Sequence, residues 1–279
     1  MADNLEAASI QWHPAFYGAA ELEFLSNKGD LEFQREFNLS KEPIRMDLLI
    51  IKKLTDARIE NEIGHIFKKY NVVEYKSPDD ALSIDDYYKT VGYACLYKGL
   101  GEKVDQIPAQ ELTISMIREG YPREMFGAMG NLGLEVQERY PGIYYISGSQ
   151  AMFDTQVVVT RRLVQETHQT LRVLSKHVKE EDVRAFVERA AGISGSGDRN
   201  NIDAVLQASV SANKKVYEAI RRRDKVMCEA LRELMKEDFE MQKLEMIKNL
   251  MDTMKWTAEQ AMAALKIPDA DKGKYIAKL

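Results

Sequence analysis

The chain is poor in the residues that build compact metal or redox centres. Of its 279 residues, two are cysteine and four are histidine. Cys95 and Cys228 stand far apart in helix-like stretches, and two thiols cannot close a four-ligand zinc site. They read as buried thiols in a reducing compartment. His13, His65, His168 and His177 are scattered, with no H-E-x-x-H spacing. No run of 18 apolar residues occurs, which predicts no transmembrane helix and no membrane partner. The opening MADNLEAASIQWHPAF is acidic and lacks a basic-then-apolar leader pattern, so a cytoplasmic location is expected. Gly195-Ser196-Gly197 has neither the preceding strand nor the following lysine that a phosphate-binding loop needs.

What is present is an ordinary globular composition, 45% hydrophobic and 30% charged, which supports a full core. The net charge of −5 gives no prior for a nucleic-acid partner, but its distribution is uneven. Residues 1–165 carry 18 basic and 25 acidic side chains, net −7; residues 166–279 carry 21 and 19, net +2.

Hydrophobic periodicity then orders the chain. A helix starts near Pro14, with Phe16, Tyr17, Ala20 and Phe24 in one stripe. Glu21 and Glu23 flank that stripe on opposite sides, and geometry does not choose between them. Alternation predicts strands at 31–39, 44–53 and 72–76, with a short helix over 59–70 ended by Asn71. Ser83 and Asp86 form a capping-box pattern that opens a helix through Lys98. A strand at 111–117, a helix at 123–132, a hairpin around Tyr140-Pro141-Gly142 and a β-rich run at 156–163 follow. From Glu166 the period is helical: a helix at 180–191, a Gly/Ser-rich loop at 193–201, one long helix over 202–252, and two short helices split at Pro268. Lys214, Lys215, Arg221, Arg222, Arg223 and Lys225 form a basic segment, read as a solvated helix face or a DNA-backbone contact. The pattern is an α/β core with a helical appendage.

The chemistry concentrates between Ile44 and Ser83. Asp47 interrupts an apolar strand, and Glu74 and Lys76 share one face of the next. Glu74-Tyr75-Lys76 is the only acidic–any–Lys triplet in the chain. An acidic residue in a strand is most often simply exposed at an edge. Here the carboxylates fall among Leu, Ile and Val, and an unpaired buried carboxylate is costly. A hard divalent cation offsets that cost with oxygen ligands, and a lysine two residues on could orient water or stabilise charge on phosphorus.

At these residues the chain resembles the PD-(D/E)XK nuclease superfamily, in particular the transposase-like branch that includes the recombination-promoting nucleases. The superfamily pattern is a helix Glu, a strand Asp and a strand Glu-X-Lys. The matching phrases are MDLLIIKK, carrying Asp47, and VVEYKSP, carrying Glu74 and Lys76. IENEIGHIFKKYN and SPDDALSIDDYYKTVGYACLY also resemble that branch. The helix carboxylate matches best at Glu23 in ELEF, with Glu21 second. The resemblance spans Trp12 to Lys98, and Met46 stands where the pattern has Pro. It implies an α/β fold: a restriction-endonuclease-like αβββαβ core with a mixed central sheet over residues 1–165, followed by a mainly helical C-terminal region over 166–279. It implies a bacterial DNA endonuclease dependent on Mg²⁺ (or Mn²⁺), or a relative that keeps the fold as a DNA-binding or scaffold protein with weak or lost catalysis. Asp47, Glu74 and the backbone carbonyl of Tyr75 would hold the metal, with Glu23 reaching it through water. Lys76 would serve the hydrolytic water. Tyr88 and Lys89 would face the substrate, although tyrosines at helical spacing are more often core. DNA is the expected partner, and the C-terminal helices could serve self-association.

Overall fold

A computed structural model describes residues 11–35, 48–234, 236–276 and 279. It divides into two compact units, residues 1–224 and 225–279. The helices of 166–223 therefore belong with the sheet, whereas composition put a division at 165/166.

The first unit is a mixed α/β structure. Helix α1 (Trp12–Glu23) leads to strands β1 (Leu31–Gln34), β2 (Leu48–Lys53) and β3 (Tyr70–Tyr75). Helix α2 (Ile84–Lys98) follows, then β4 (Leu112–Arg118), α3 (Arg123–Asn131), β5 (Glu135–Tyr140), β6 (Ile143–Ser147) and β7 (Asp154–Val159). These strands form one seven-stranded sheet in the order β1-β2-β3-β4-β7-β6-β5. β3, β4 and β7 run parallel at its centre, and the outer pairs are antiparallel. Parallel central strands are buried on both faces, and accordingly every residue from Asn71 to Tyr75 and from Leu112 to Ile117 is buried.

The two faces have distinct partners. Ile50, Val72, Ile114, Met116 and Val157 pack with Tyr87, Ala94 and Tyr97 of α2 and with Met125, Phe126 and Met129 of α3. Opposite residues face α1: Tyr75 stacks on Phe16 with ring centroids 4.2 Å apart and planes 4° from parallel. Helices α4 (Gln169–Arg172), α5 (Glu180–Ala191), α6 (Ser196–Ala212) and α7 (Lys214–Arg223) complete this unit. At Gly18 of α1, a Cβ would lie 3.0 Å from the carbonyl oxygen of Asn201 in α6. Glycine is what lets those two backbones approach.

Three expectations are corrected. The helix expected over 59–70 shrinks to one 3₁₀ turn, Glu62–Ile66, capped by the Asn61 side chain. The reason is Asn71, which is fully buried within β3 rather than breaking a helix. Its amide donates to the carbonyls of Ile51 (2.9 Å) and Lys68 (2.7 Å) and accepts from Thr113 Oγ1 (2.6 Å), tying this segment to both neighbouring strands. The Gly/Ser loop at 193–201 is instead mostly helix, since α6 begins at Ser196. The single helix over 202–252 is broken after Ala212, where Asn213 turns its amide to the carbonyl oxygens of Ser175 (2.6 Å) and Ser209 (3.0 Å). Of the expected strand at 31–39, β1 forms Leu31–Gln34, and residues 36–39 lie outside the described residues. Of that expected at 44–53, β2 forms from Leu48, and residues 44–47 lie outside them.

The second unit holds α8 (Lys225–Leu234), α9 (Lys236–Met254), α10 (Ala258–Ala264) and α11 (Asp269–Ile276). Ile247, Ala261, Met262, Ile267 and Tyr275 form its core. Thr257 and Gln260 cap α10 reciprocally, and Pro268 falls between α10 and α11 as its fixed φ suggests. No helix among the described residues is long and apolar enough to cross a membrane.

Candidate functional site

The C-terminal end of β3 and the first turns of α2 bring several charges together. Glu74 faces the α2 side of the sheet, opposite Tyr75, and pairs across the ladder with Leu48 of β2. It is only 6% exposed. Burial pushes its carboxyl above the usual range, while the charges of Lys76 and Lys89 pull it back. Its ion-pair contact to Lys76 Nζ is long, at 3.4 Å. Among the described residues this is the ion pair that Glu74 makes, and an ionised carboxylate has acceptor sites for more than one cation.

Lys76 is held more firmly by Asp86, 2.8 Å from its Nζ. Desolvation opposes its charge, but the Asp86 hydrogen bond and the Glu74 charge outweigh that, so the ammonium is held above its ordinary range. Asp86 is stabilised in turn as the anion: desolvation opposes it, and Lys76 together with Ser83 overcomes this. Asp86 does this from within the capping box, where its carboxylate accepts from Ser83 N (2.8 Å) and Ser83 Oγ (2.7 Å). The cap was legible in the sequence; its second task, fixing Lys76, was not. Lys89, one turn on, lies 5.4 Å from the Tyr93 ring centroid. Hydrogen bonding to Tyr93 raises it first, and the Glu74 charge also contributes.

Glu74, Lys76 and Lys89 therefore come together, and the Tyr75 backbone joins the first two. Tyr88 does not: it is 54% exposed and lines a groove with Val91, Leu132 and Met152. Asp47 lies outside the described residues. It directly precedes Leu48, the cross-strand partner of Glu74.

Glu23 is also not brought to Glu74. It sits at the end of α1, on the face opposite Glu74, about 10 Å along the helix from Phe16. There it is 3% exposed and fully engaged. His168 Nδ1 and Thr170 Oγ1 bond its two oxygens, and Asn61 Nδ2 donates at 3.2 Å. His168 reaches Glu62 through its other nitrogen, at 3.3 Å. The alternative, Glu21, is bound to Arg35 at 2.7 Å and to Asn201 at 2.8 Å. Both helix carboxylates thus tie α1 to its neighbours. Among the described residues no group of three or more Asp, Glu, His or Cys side chains is placed to hold a metal ion. The cysteine expectation is corrected as well: Cys95 is exposed on α2, and Cys228 is half-buried.

Of the basic segment, Lys214, Lys215, Arg221, Arg222 and Arg223 lie exposed on α7, which buries Tyr217 and Ile220, whereas Lys225 opens α8 of the second unit. Comparison with protein-family models, with curated proteins and with solved structures gives no match.

Proposed function

We propose that this protein is a divalent-metal-dependent DNA endonuclease of the PD-(D/E)XK type, acting at the end of β3. The observation that carries the reading is the loosely held, buried Glu74 beside a firmly held Lys76 on one strand end. The chain order α1-β1-β2-β3-α2-β4 supports it, because it follows the αβββαβ order of a restriction-endonuclease-like core. So does the resemblance around Asp47, Glu74 and Lys76.

The residues fit a hard cation in part. Glu74 offers a buried carboxylate and Tyr75 a backbone carbonyl. The helix carboxylate of the family pattern is not supplied by Glu23 or Glu21. A bound Mg²⁺ or Mn²⁺ supplies Lewis acidity toward a phosphate oxygen and an acidified water.

The chain's own groups then divide the work. Lys76, raised above its ordinary range, is an ammonium at neutral pH. It donates hydrogen bonds to the attacking water and to the developing charge on phosphorus, and does not act as a base. Asp86 positions it. Lys89 and the exposed cations of α7 draw the polyanionic backbone toward the protein.

A second reading, a nuclease-like scaffold that binds DNA without turnover, is favoured by the absence of any α1 carboxylate at Glu74. Calorimetric titration with Mn²⁺ tests the metal site. One site in the wild type that disappears in Glu74→Ala supports the proposal; heats unchanged by the substitution overturn it.

A further inference from the structure

Among the described residues, Arg118 carries a charge that no acceptor meets. It closes β4, half-buried, and its Nε is buried without a hydrogen-bond partner. Burial holds its guanidinium below the usual arginine range, and the charge of Glu119 offsets this only in part. Glu119 itself is occupied by Arg161 and Ser175. An arginine does not shed its proton, so a partly desolvated positive charge stands here at a cost. Arg172 shows the contrast: its guanidinium is bonded to Asp182 at 2.7 Å and to the Leu163 carbonyl at 2.7 Å.

The sheet sets the place of Arg118. Glu74 is in register with Met116, and Tyr75 with Ile117. Lys76 N donates to the Ile117 carbonyl at 2.9 Å, which carries the ladder one step past β3. Arg118 therefore stands next to Lys76 on the neighbouring strand, about 5 Å away at the backbone. Alternation puts it on the face of Ile114 and Met116, which pack with α2 and α3. That is the face of Glu74. The guanidinium lies back along the turn after β4, where a Cβ on Gly120 would be 3.4 Å from Nη2, and the ion pair of Glu74 is to Lys76 instead.

A third cation continues the line. β7 is the next strand beyond β4. Arg162 follows it, exposed, with its guanidinium 4.1 Å from the Tyr121 ring centroid and Nη1 2.7 Å from the Tyr144 hydroxyl. Tyr121 and Tyr144 both pack on Phe126 of α3, which puts Arg162 on the same face. Three successive strand ends thus present Lys76, Arg118 and Arg162. A row of cations across a sheet end suits a polyanion laid along it better than one small anion.

We propose that Arg118 is a positioning residue for DNA, holding a backbone phosphate next to the one presented to Glu74. Lys76 is tied to Asp86 and Arg162 to Tyr144, whereas Arg118 keeps its donors for the substrate. The guanidinium fork matches two non-bridging phosphate oxygens. The inference rests on the reading of the β3 end as the place where DNA is cleaved, and it adds what sets the strand there.

The test is binding of a fluorescent DNA duplex by the full chain, read by anisotropy over a salt series with Ca²⁺, which takes oxygen ligands as Mg²⁺ does. Arg118→Gln should weaken binding about 10-fold and lower the salt slope by about 1, the signature of one lost phosphate contact. Arg118→Lys should keep the slope and recover part of the affinity, because it keeps the charge and loses the fork. Neither substitution should lower Tm, since no partner within the chain is lost. In steady-state cleavage with Mg²⁺, Arg118→Gln should raise KM about 10-fold at unchanged kcat. Unchanged affinity and slope in Arg118→Gln overturn the proposal, whether or not Tm falls, and so does a wild type that binds no DNA. The two readings fail separately. A wild type that binds DNA through Arg118 and cuts none refutes hydrolysis and keeps Arg118. A wild type that cuts, with KM untouched by Arg118→Gln, refutes Arg118 and keeps hydrolysis. Calorimetric titration with inorganic phosphate separates a strand from a free anion: heat that Arg118→Gln removes while DNA affinity stays the same assigns Arg118 to a small anion and overturns the proposal.

Discussion

Replacing Asp86 by alanine removes two interactions at once, and the structure allows them to be separated. One is the carboxylate half of the reciprocal cap at the start of α2, in which Asp86 accepts from Ser83 N at 2.8 Å; the other half, from the backbone N–H of residue 86 to Ser83 Oγ at 3.2 Å, survives the substitution. Losing a cap costs about 1 kcal/mol. The other is the 2.8 Å contact to Lys76 Nζ, with both side chains less than a fifth exposed. A charge-assisted hydrogen bond is worth roughly 1.5–3 kcal/mol, and partial solvent screening brings this pair to about 1–2 kcal/mol. Asp86→Ala should therefore destabilise the protein by about 2–3 kcal/mol, and Ser83→Ala by about 1 kcal/mol. Urea denaturation at pH 7 measures both. The difference belongs to Lys76, and its pH dependence is fixed in sign. The pK of Asp86 is depressed from 3.8, so its contribution is present above that value and lost as pH falls through the depressed one. The pK of Lys76 is raised from 10.5, so its contribution is present below that value and lost as pH rises through the raised one. The gap between the two variants should be flat near neutrality and close in acid. Equal destabilisation by both substitutions at pH 7 would refute the claim that Asp86 anchors Lys76.

Two further outcomes follow from the same groups. Glu74 is held above its usual range by burial; a raised carboxyl favours the folded state in acid and weighs against it as pH rises. Glu74→Gln should accordingly raise Tm at pH 7 and gain nothing near pH 4, as scanning calorimetry would show; a lower Tm at pH 7 would mean that the Lys76 contact outweighs desolvation. His168→Ala should cost about 1–3 kcal/mol, because it strips one hydrogen-bond partner from buried Glu23 while Thr170 and Asn61 remain. Activity per folded molecule should survive in that variant, since the pair lies away from Glu74. A selective loss of activity with stability intact would return Glu23 to the catalytic set.

Local features of this fold were legible from sequence. The capping box of Ser83 and Asp86, the stripe of α1 and the central strands all report short-range preferences that tertiary packing did not override. The juxtaposition of Glu74 and Lys76 is also local, since two residues apart on a strand share a face. What escaped was long-range. Nothing near Glu23 announces that His168 and Thr170, 145 and 147 residues later, return to occupy its carboxylate. Asn71 and Asn213 looked like ordinary helix breakers, or went unnoticed in a helical run. Each is a buried amide that fastens distant backbone, and a pattern scan has no access to that. Asp86 was missed for another reason: its role in the cap already accounted for its presence.

The central claim is hydrolysis of DNA at the end of β3. Its most direct test is conversion of supercoiled plasmid to nicked and linear forms by the purified protein in Mg²⁺ or Mn²⁺, beside Lys76→Ala and Asp47→Ala. Cleavage by the wild type that EDTA abolishes and that both variants lose, while remaining folded by circular dichroism, is the predicted result. No cleavage by the wild type, or equal cleavage by Lys76→Ala, would contradict it.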